Sequence, residues 1–197
     1  MILFRDLIGQ ELAGTVLRRA VREDRVTHAY VFAGPEGTGK LTAALAFAAA
    51  LNCESPAADG DACGSCNSCL IMASGNHPDV EIISPDGAQT KIDQMREMRR
   101  TAQYAPIRGG RRVIIIEQAD TLNQDSASAI LKTLEEPPSY LVIILLSRNP
   151  ALLLPTIRSR CMLVRFSHAD IEELSRALVE RYGASDDEAR FLAAYSE

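Results

Sequence analysis

The feature that most constrains this chain is a glycine-rich segment between a short apolar run and an alanine-rich stretch. Residues 34–40 read GPEGTGK, which matches the pattern G-x-x-x-x-G-K. Ala29–Ala33 precedes it and residues 41–52 follow, so the predicted order is strand, loop, helix. Glycines let backbone N–H groups face a phosphate, and the helix directs its positive end toward that phosphate. The segment therefore predicts a phosphate-binding loop, with binding residues Gly34, Gly37, Thr38, Gly39 and Lys40.

The remaining apolar runs alternate with helical patterns, which predicts a layered α/β fold. Strands are predicted over residues 79–83, 112–116, 140–146 and 161–166, and helices over residues 91–105 and 126–136. Strands that are joined through helices form parallel sheets with helices on both faces. We therefore expect a five-stranded parallel sheet flanked by helices, in a domain that spans residues 1–166.

Residues 167–197 differ in composition and contain two short helical patterns. Asp170 with Glu173 and Ser185 with Glu188 each fit an N-cap residue followed three residues later by a glutamate. We expect the start of a small helical domain here, left incomplete by the end of the sequence.

Two positions of the predicted nucleotide site depart from what ATP hydrolysis needs. The residue after the loop lysine should carry a hydroxyl that ligates Mg²⁺, but it is Leu41; Thr42 is no substitute, because one helical step rotates a side chain by about 100°. Glu117 and Gln118 stand where a hydrolysing enzyme of this type has aspartate and glutamate. Gln118 cannot accept a proton, and loss of a general base costs about 10²–10⁴-fold in rate. The alternative is that Gln118 orients water, as glutamine does in some GTPases.

Four of the five cysteines form a compact pattern, C-x9-C-x2-C-x2-C, within a polar insert at about residues 53–70. Closely spaced thiolates can converge on one ion, and four sulfur ligands favour tetrahedral Zn²⁺ in a closed, structural site. The predicted ligands are Cys53, Cys63, Cys66 and Cys69. An iron–sulfur cluster and free or disulfide-bonded cysteines are the alternatives, and His77 is interpreted as an ordinary loop residue.

Charge and hydropathy argue against several classes of protein. The net charge is −5, so no overall basic field favours nucleic acid. Arginines within residues 96–100 and 108–112 are the only support for a zinc-bearing DNA-binding module, and such clusters are more often solvated faces. The N-terminus is too polar for a signal peptide, and no apolar stretch reaches the roughly 18 residues of a membrane span. We therefore expect a cytoplasmic protein with reduced cysteines and no membrane contact.

Several segments together resemble the AAA+ subunits of the bacterial DNA polymerase III clamp loader. They are FRDLIGQ at residues 4–10, HAY at 28–30, the phosphate loop, the cysteine pattern, LKTLEEPP at 131–138 and SRC at 159–161. The resemblance runs to about Phe166 and continues more weakly to the end. It implies an AAA+ sheet domain with a zinc-knuckle insert, then part of a helical lid domain, without the family's C-terminal collar domain.

Two kinds of subunit fit this resemblance, delta-prime and gamma/tau. Gamma/tau subunits are ATPase motors with intact motifs, whereas delta-prime subunits have degenerate nucleotide motifs and an SRC arginine. Leu41 and Gln118 together with Arg160 make the chain more similar to delta-prime. The resemblance then implies that Arg160 acts in trans, as a finger in the ATP site of a neighbouring gamma/tau subunit, presented by Ser159 with Cys161 beneath. An active, divergent gamma/tau-like ATPase is the alternative.

The resemblance also implies partners and cofactors. The expected partners are gamma/tau and delta subunits in a hetero-pentamer that loads the sliding clamp on primer–template DNA during replication. That complex is part of the DNA polymerase III holoenzyme, which is a nucleotidyltransferase as a whole. We expect structural zinc and no ATPase activity from the chain by itself. Binding of ATP or ADP without Mg²⁺ stays open, and Ser147 falls at the family's first sensor position.

Overall fold

The computed structural model describes residues 3–87 and 90–195 of the chain. Five strands form one sheet in the order β2-β3-β4-β1-β5, and every neighbouring pair runs parallel. The strands are β1 (Ala29–Ala33), β2 (Val80–Ile83), β3 (Arg112–Ile116), β4 (Leu141–Ser147) and β5 (Met162–Arg165). The predicted five-stranded parallel sheet is thereby confirmed.

Helices connect and cover these strands. Those of the described ranges are α1 (Glu11–Arg22), α2 (Lys40–Leu51), α3 (Asn67–Ala73), α4 (Ile92–Thr101), α5 (Gln124–Glu135), α6 (Pro155–Arg158), α7 (Ile171–Tyr182) and α8 (Asp186–Ala194). Short 3-10 helices lie at Phe4–Asp6, Ala119–Thr121 and Pro150–Leu152. In the described part of the chain, none of the helices combines the length and apolarity that crossing a membrane requires.

The sheet lies between two helical layers because its central strands are apolar on both faces. All of β4 is buried. Tyr30 and Phe32 of β1 pack on one side with Leu17 of α1 and Phe47 of α2. Val31 points to the other side, where it joins core residues of α4 and α5, namely Met95, Met98, Ile130 and Leu134. Alternate residues of one strand thus hold both layers in place.

The pair α7–α8 follows the last strand, and one of its two predicted capping boxes is wrong. Ser185 and Glu188 form the predicted box: Ser185 Oγ accepts from the Glu188 N–H at 3.4 Å, and Glu188 Oε2 accepts from the Ser185 N–H at 3.0 Å. Asp170 does cap α7, through the N–H of Glu172 at 2.8 Å. Glu173 does not return to Asp170, because its carboxylate instead accepts from the N–H of Gly9 at 3.0 Å.

Candidate functional site

The predicted phosphate loop connects the end of β1 to the start of α2. Gly37 and Gly39 have φ angles of +78° and +79°, in the left-handed region where a side chain would be strained. Gly39 is also the N-cap of α2, so the helix begins directly at the loop. The loop thus aims the positive end of α2 at the position that a phosphate would take.

Side chains of the loop close it on its own carbonyl oxygens. Lys40 Nζ donates to Gly34 O at 2.7 Å and also to Pro35 O, and Thr38 Oγ1 donates to the same Pro35 oxygen at 2.8 Å. Burial lowers the pKa of the Lys40 ammonium, an effect that the neighbouring Glu36 carboxylate opposes. A phosphate bound here would replace the contacts of Lys40 with a stronger, fully charged acceptor.

A cavity of about 330 Å³ lies beside the loop, at the carboxyl ends of β3 and β4. Open α/β sheets bind ligands at these strand ends. The cavity is lined by Glu36, Gly37, Gly39, Lys40, Leu41, Thr42, Glu117, Gln118, Leu146, Ser147 and Arg148. The structure thus brings the loop together with both positions at which the sequence departs from a hydrolysing enzyme.

The acidic corner of this cavity is poor in groups that could hold Mg²⁺ or activate water. Leu41, in the first turn of α2, is half buried and packs against the hydrophobic core. Glu117 Oε2 accepts a hydrogen bond from Ser84 Oγ, which occupies part of its carboxylate. Gln118 has a φ of +46°, one of two non-glycine residues in the described ranges with a positive φ. Its amide has no basic lone pair to take a proton from water.

Sequence reasoning missed a charged bridge across the mouth of the cavity. The backbone N–H of Arg148 donates to Asp120 Oδ1 at 3.1 Å, and its guanidinium lies 3.5 Å from Asp120 Oδ2. The same guanidinium lies 3.6 Å from Glu36 Oε2 in the loop. Arg148 therefore adds positive charge next to Lys40. Arg148 directly follows β4 and Asp120 lies four residues after the end of β3, so their pairing depends on β3 and β4 being neighbours in the sheet.

Ser147, for which the resemblance predicts a sensor position, is the last residue of β4 and lines the same cavity. Its side chain is fully buried, and its Oγ has no hydrogen-bond partner among the residues that the structure describes. A buried hydroxyl of this kind favours a ligand or water that completes its hydrogen bonding.

Arg160 lies outside this cavity, in the turn between α6 and β5. Its guanidinium is about one-third exposed and lies 2.9 Å from Glu135 Oε1. It also donates to Thr156 O at 2.8 Å, while Ser159 Oγ donates to that same oxygen at 3.1 Å. Burial raises the pKa of the neighbouring Cys161 thiol to about 12, so this cysteine is a neutral packing residue. The turn thus holds a partly exposed guanidinium by two fixed acceptors.

The four predicted metal ligands converge. The Sγ atoms of Cys53, Cys63, Cys66 and Cys69 all lie within 4.8 Å of one another. The Cys53–Cys66 and Cys63–Cys69 separations are 3.9 Å, and that of Cys53 and Cys69 is 3.7 Å. A tetrahedral ion with metal–sulfur bonds of about 2.3 Å needs sulfurs about 3.8 Å apart. The four cysteines therefore fit a single metal ion.

The environment of the thiols also suits a cation. Backbone N–H groups of Ser65 and Cys66 donate to Cys63 Sγ and lower the pKa of this thiol to about 6. Burial raises the pKa of the Cys69 thiol, so a thiolate there calls for a nearby positive charge. His77 lies in the loop between α3 and β2 and outside the group of four ligands, but it is buried, with its Nε2 3.0 Å from Ser68 Oγ.

Five of the six arginines in the two clusters pair with carboxylates of the chain. Arg96 lies 3.0 Å from Asp93, Arg108 lies 3.1 Å from Glu54, and Arg112 lies 2.8 Å from Glu81. Arg100 and Arg111 also pair with carboxylates. This pairing favours a structural interpretation of the clusters over a DNA-binding one.

Comparison with known proteins agrees with this geometry. The family model described as "DNA polymerase III, delta subunit" matches residues 9–170. The DNA polymerase III subunit delta' of Pseudomonas aeruginosa is 41% identical over 157 residues, which cover 77% of this chain and 48% of that protein. The DNA polymerase III subunit tau/gamma of Haemophilus influenzae is 36% identical over 176 residues, which cover 89% of this chain and 25% of that protein.

Solved structures agree on the fold. A DNA polymerase III gamma subunit-related protein from Thermotoga maritima superimposes with a TM-score of 0.57 at 24% identity, over 90% of this chain and 57% of that chain. The chain thus spans about half the length of the delta' relative and about a quarter of the tau/gamma relative.

Proposed function

This chain belongs to the DNA polymerase III delta subunit family, and we propose that it acts as a delta-prime-like stator of the clamp loader. In this role it does not hydrolyse ATP itself but supplies Arg160 to the ATP site of a neighbouring gamma/tau subunit. The observation that carries the proposal is the difference between the side chains in the chain's own cavity and the arginine on its surface. The chain's own cavity contains Leu41 and Gln118, whereas Arg160 lies in a partly exposed turn with its guanidinium held in place.

The chemistry asked of Arg160 is charge stabilisation. During phosphoryl transfer, negative charge spreads over the transferred group, and a guanidinium placed against it stabilises the transition state. An arginine supplied by an adjacent subunit contributes about 10³–10⁵ in rate in the known examples. Glu135 and Thr156 O would orient the guanidinium before it meets the neighbour, which reduces the entropy lost on docking.

The chain's own loop would bind nucleotide without a metal ion. Lys40 and the amides before α2 offer positive charge to a phosphate, and Arg148 adds more from the end of β4. These groups need no Mg²⁺, and Leu41 offers none of the hydroxyl coordination that Mg²⁺ requires. ADP or ATP bound here would therefore stay intact.

The proposal includes the surroundings of these sites. Residues 1–166 form the AAA+ domain, with a structural Zn²⁺ held by the four cysteines, and residues 167–197 form part of the lid. The partners are gamma/tau and delta subunits in a hetero-pentamer that loads the sliding clamp on primer–template DNA. The match to delta' and tau/gamma relatives supports this assignment.

A second candidate is an active gamma/tau-like ATPase. The complete GPEGTGK loop and the identity of 36% to a tau/gamma subunit support it. It requires Glu117 or Gln118 to hold Mg²⁺ and to activate the attacking water. The hydrogen bond that Glu117 accepts from Ser84 opposes this, because it occupies one of the carboxylate oxygens.

One experiment separates the two candidates. ATP hydrolysis is measured for the purified chain, for an active gamma/tau subunit with delta, and for the three together. The stator proposal predicts background hydrolysis by the chain alone and faster hydrolysis on mixing. Hydrolysis by the chain alone that disappears in Lys40→Ala would instead establish the ATPase.

A further inference from the structure

The cysteine insert contacts the N-terminal residues of the chain through one buried carboxylate. Asp61, two residues before Cys63, is 5% exposed. Its oxygens accept from the backbone N–H groups of Phe4 at 3.1 Å and Arg5 at 3.2 Å, and from that of Ala62 at 2.8 Å. We call residues 3–10 the N-terminal strap. Asp61 thus ties the strap to the insert that carries the metal ligands.

The other side of the strap holds α7. The Arg181 guanidinium donates to Asp6 O at 2.6 Å and to Arg5 O at 3.1 Å. Glu173, about two helical turns earlier on α7, accepts from the Gly9 N–H at 3.0 Å. Within the described ranges, the side-chain hydrogen bonds that α7 makes to the sheet-bearing part of the chain end on the strap or on Glu11 beside it.

The strap also fits closely against the segment that leads into α7. Gln10 Nε2 donates to Ser167 O at 2.6 Å. A Cβ placed on Gly9 would lie 2.4 Å from the Cβ of Ala169, so only glycine permits this approach. The strap therefore contacts the segment that leads into α7 as well as side chains of α7 itself.

We propose that metal binding by the four cysteines holds α7 in position over the phosphate loop, acting through Asp61 and the N-terminal strap. The proposal rests on the cysteines holding a metal, and it does not depend on the role of Arg160. It assigns to the insert a purpose that its closed ligand set leaves unexplained, since a four-thiolate site has no open position for chemistry.

The physical reason lies in the loop that carries Asp61, which the metal ligands support at one end while Asp59 and Gly60 contact Arg18 of α1. Cys53 and Cys63 enclose the loop that carries Asp61, and this loop is mostly small and polar. Metal binding supplies the free energy that orders such segments, so loss of the ion releases the residues beside each ligand. Asp61 would then no longer present both oxygens to the strap, and the strap would no longer present its carbonyls to Arg181.

A cavity of about 340 Å³ shows what α7 controls. It is enclosed by the strap, the phosphate loop and α7, and its lining includes Leu7, Gly37, Thr38, Leu174 and Tyr182. Because α7 forms one wall, loosening α7 would open this space next to the loop.

The test is amide hydrogen exchange on the zinc-loaded protein and on the same protein stripped with a zinc chelator. An undocked pair of short helices is marginally stable, so its amides exchange faster. We expect exchange in α7 to rise at least about tenfold on stripping, together with the strap, while β3 and β4 stay protected. Faster exchange confined to the insert, or failure of the protein to hold zinc, would overturn the proposal.

Variants separate the path from general unfolding. Asp61→Asn should keep its zinc, measured by metal analysis, yet loosen the strap and α7. Glu54→Gln, in the same insert but paired with Arg108, is the matched control and should leave α7 protected. If Asp61→Asn retains zinc and full protection of α7, the proposal is wrong.

Arg181→Gln provides a second measurement that does not perturb the insert. It should speed exchange in α7 while the strap and zinc content stay unchanged. Stripping zinc from this variant should add less exchange in α7 than stripping the unmodified protein, because one of the strap contacts is already cut while that of Glu173 with Gly9 remains. Fully additive effects of the substitution and of stripping would contradict a shared path.

Discussion

The phosphate-loop cavity and the turn that carries Arg160 differ in which atoms matter: the backbone in the cavity and one side chain in the turn. In the cavity the backbone is well suited to its task, with left-handed glycines and the start of α2 facing a phosphate position. Its side chains fit hydrolysis less well, since Leu41 has no oxygen to offer Mg²⁺ and Gln118 has no basic group to take a proton from water. In the turn the proposed function depends on one side chain, because a single guanidinium can stabilise charge in any ATP site that a neighbouring subunit places beside it.

This difference teaches that binding and catalysis separate physically. A phosphate is held mainly by backbone N–H groups and a helix end, which tolerate changes in nearby side chains. Hydrolysis depends on particular oxygen ligands and a base at fixed positions. A chain can therefore have the first without the second, and still contribute charge to a reaction on another subunit.

Removing the Arg160 guanidinium should have the largest effect on ATP hydrolysis by the complex. Arg160→Ala in the assembled complex should lower ATP hydrolysis by about 10³-fold, since the transition state loses its trans charge. Steady-state hydrolysis with gamma/tau and delta present is the measurement. Arg158→Ala, which changes an exposed arginine at the end of α6, is the control, and the complex that contains it should hydrolyse ATP at the normal rate. Equal rates for both variants would remove the role assigned to Arg160.

Removing the loop lysine tests whether the cavity binds nucleotide in its own right. Lys40→Ala should weaken ADP binding by about tenfold, the usual effect of losing one charged hydrogen-bond donor. Calorimetric titration with and without Mg²⁺ measures it, with Lys132→Ala as a control on another helix. If ADP binding by the unmodified chain requires Mg²⁺, the cavity does hold a metal ion and the contrast with the Arg160 turn is wrong.

Changing Glu135, the carboxylate partner of Arg160, should have a smaller effect on the rate than removing Arg160, and it tests whether the turn orients the guanidinium. Glu135→Gln should lower the rate in the complex by up to about fivefold, since an exposed ion pair contributes at most about 1 kcal/mol. The KM for ATP should stay constant, because Glu135 orients the arginine and does not touch nucleotide. Glu136→Gln is the matched neighbour. A loss as large as that of Arg160→Ala would mean that Glu135 has a further task.

Much of the fold was predictable from local pattern. The bounds of β1 and β3 are those predicted, because the continuous apolar runs of AYVFA and RVIII are typical of strands buried on both faces of a sheet. Helix α4 ends at Thr101, earlier than the predicted 105. The loop that follows is held by Asp79, which accepts from the N–H groups of Ile107 and Arg108. That constraint comes from a distant part of the sequence.

The site was predicted in part. The phosphate loop and the cysteines follow spacing rules, so their residues could be named in advance. Arg148 and Asp120 could not be paired from sequence, since they meet only because β3 and β4 are neighbours. Asp61 was missed for the same reason, as its partners Phe4 and Arg5 lie far away in the chain.

The sequence by itself determined the chemistry that is local: glycines where the loop needs left-handed backbone, four thiols at metal-binding spacing, and a leucine and a glutamine where hydrolysis needs oxygen ligands and a base. Tertiary structure alone decided which charges meet, namely Arg160 with Glu135, Arg148 with Asp120 and Glu36, and the strap with Asp61 and Arg181. Spacing along a chain sets dihedral angles and ligand reach, whereas long-range pairs depend on strand order and on how layers pack.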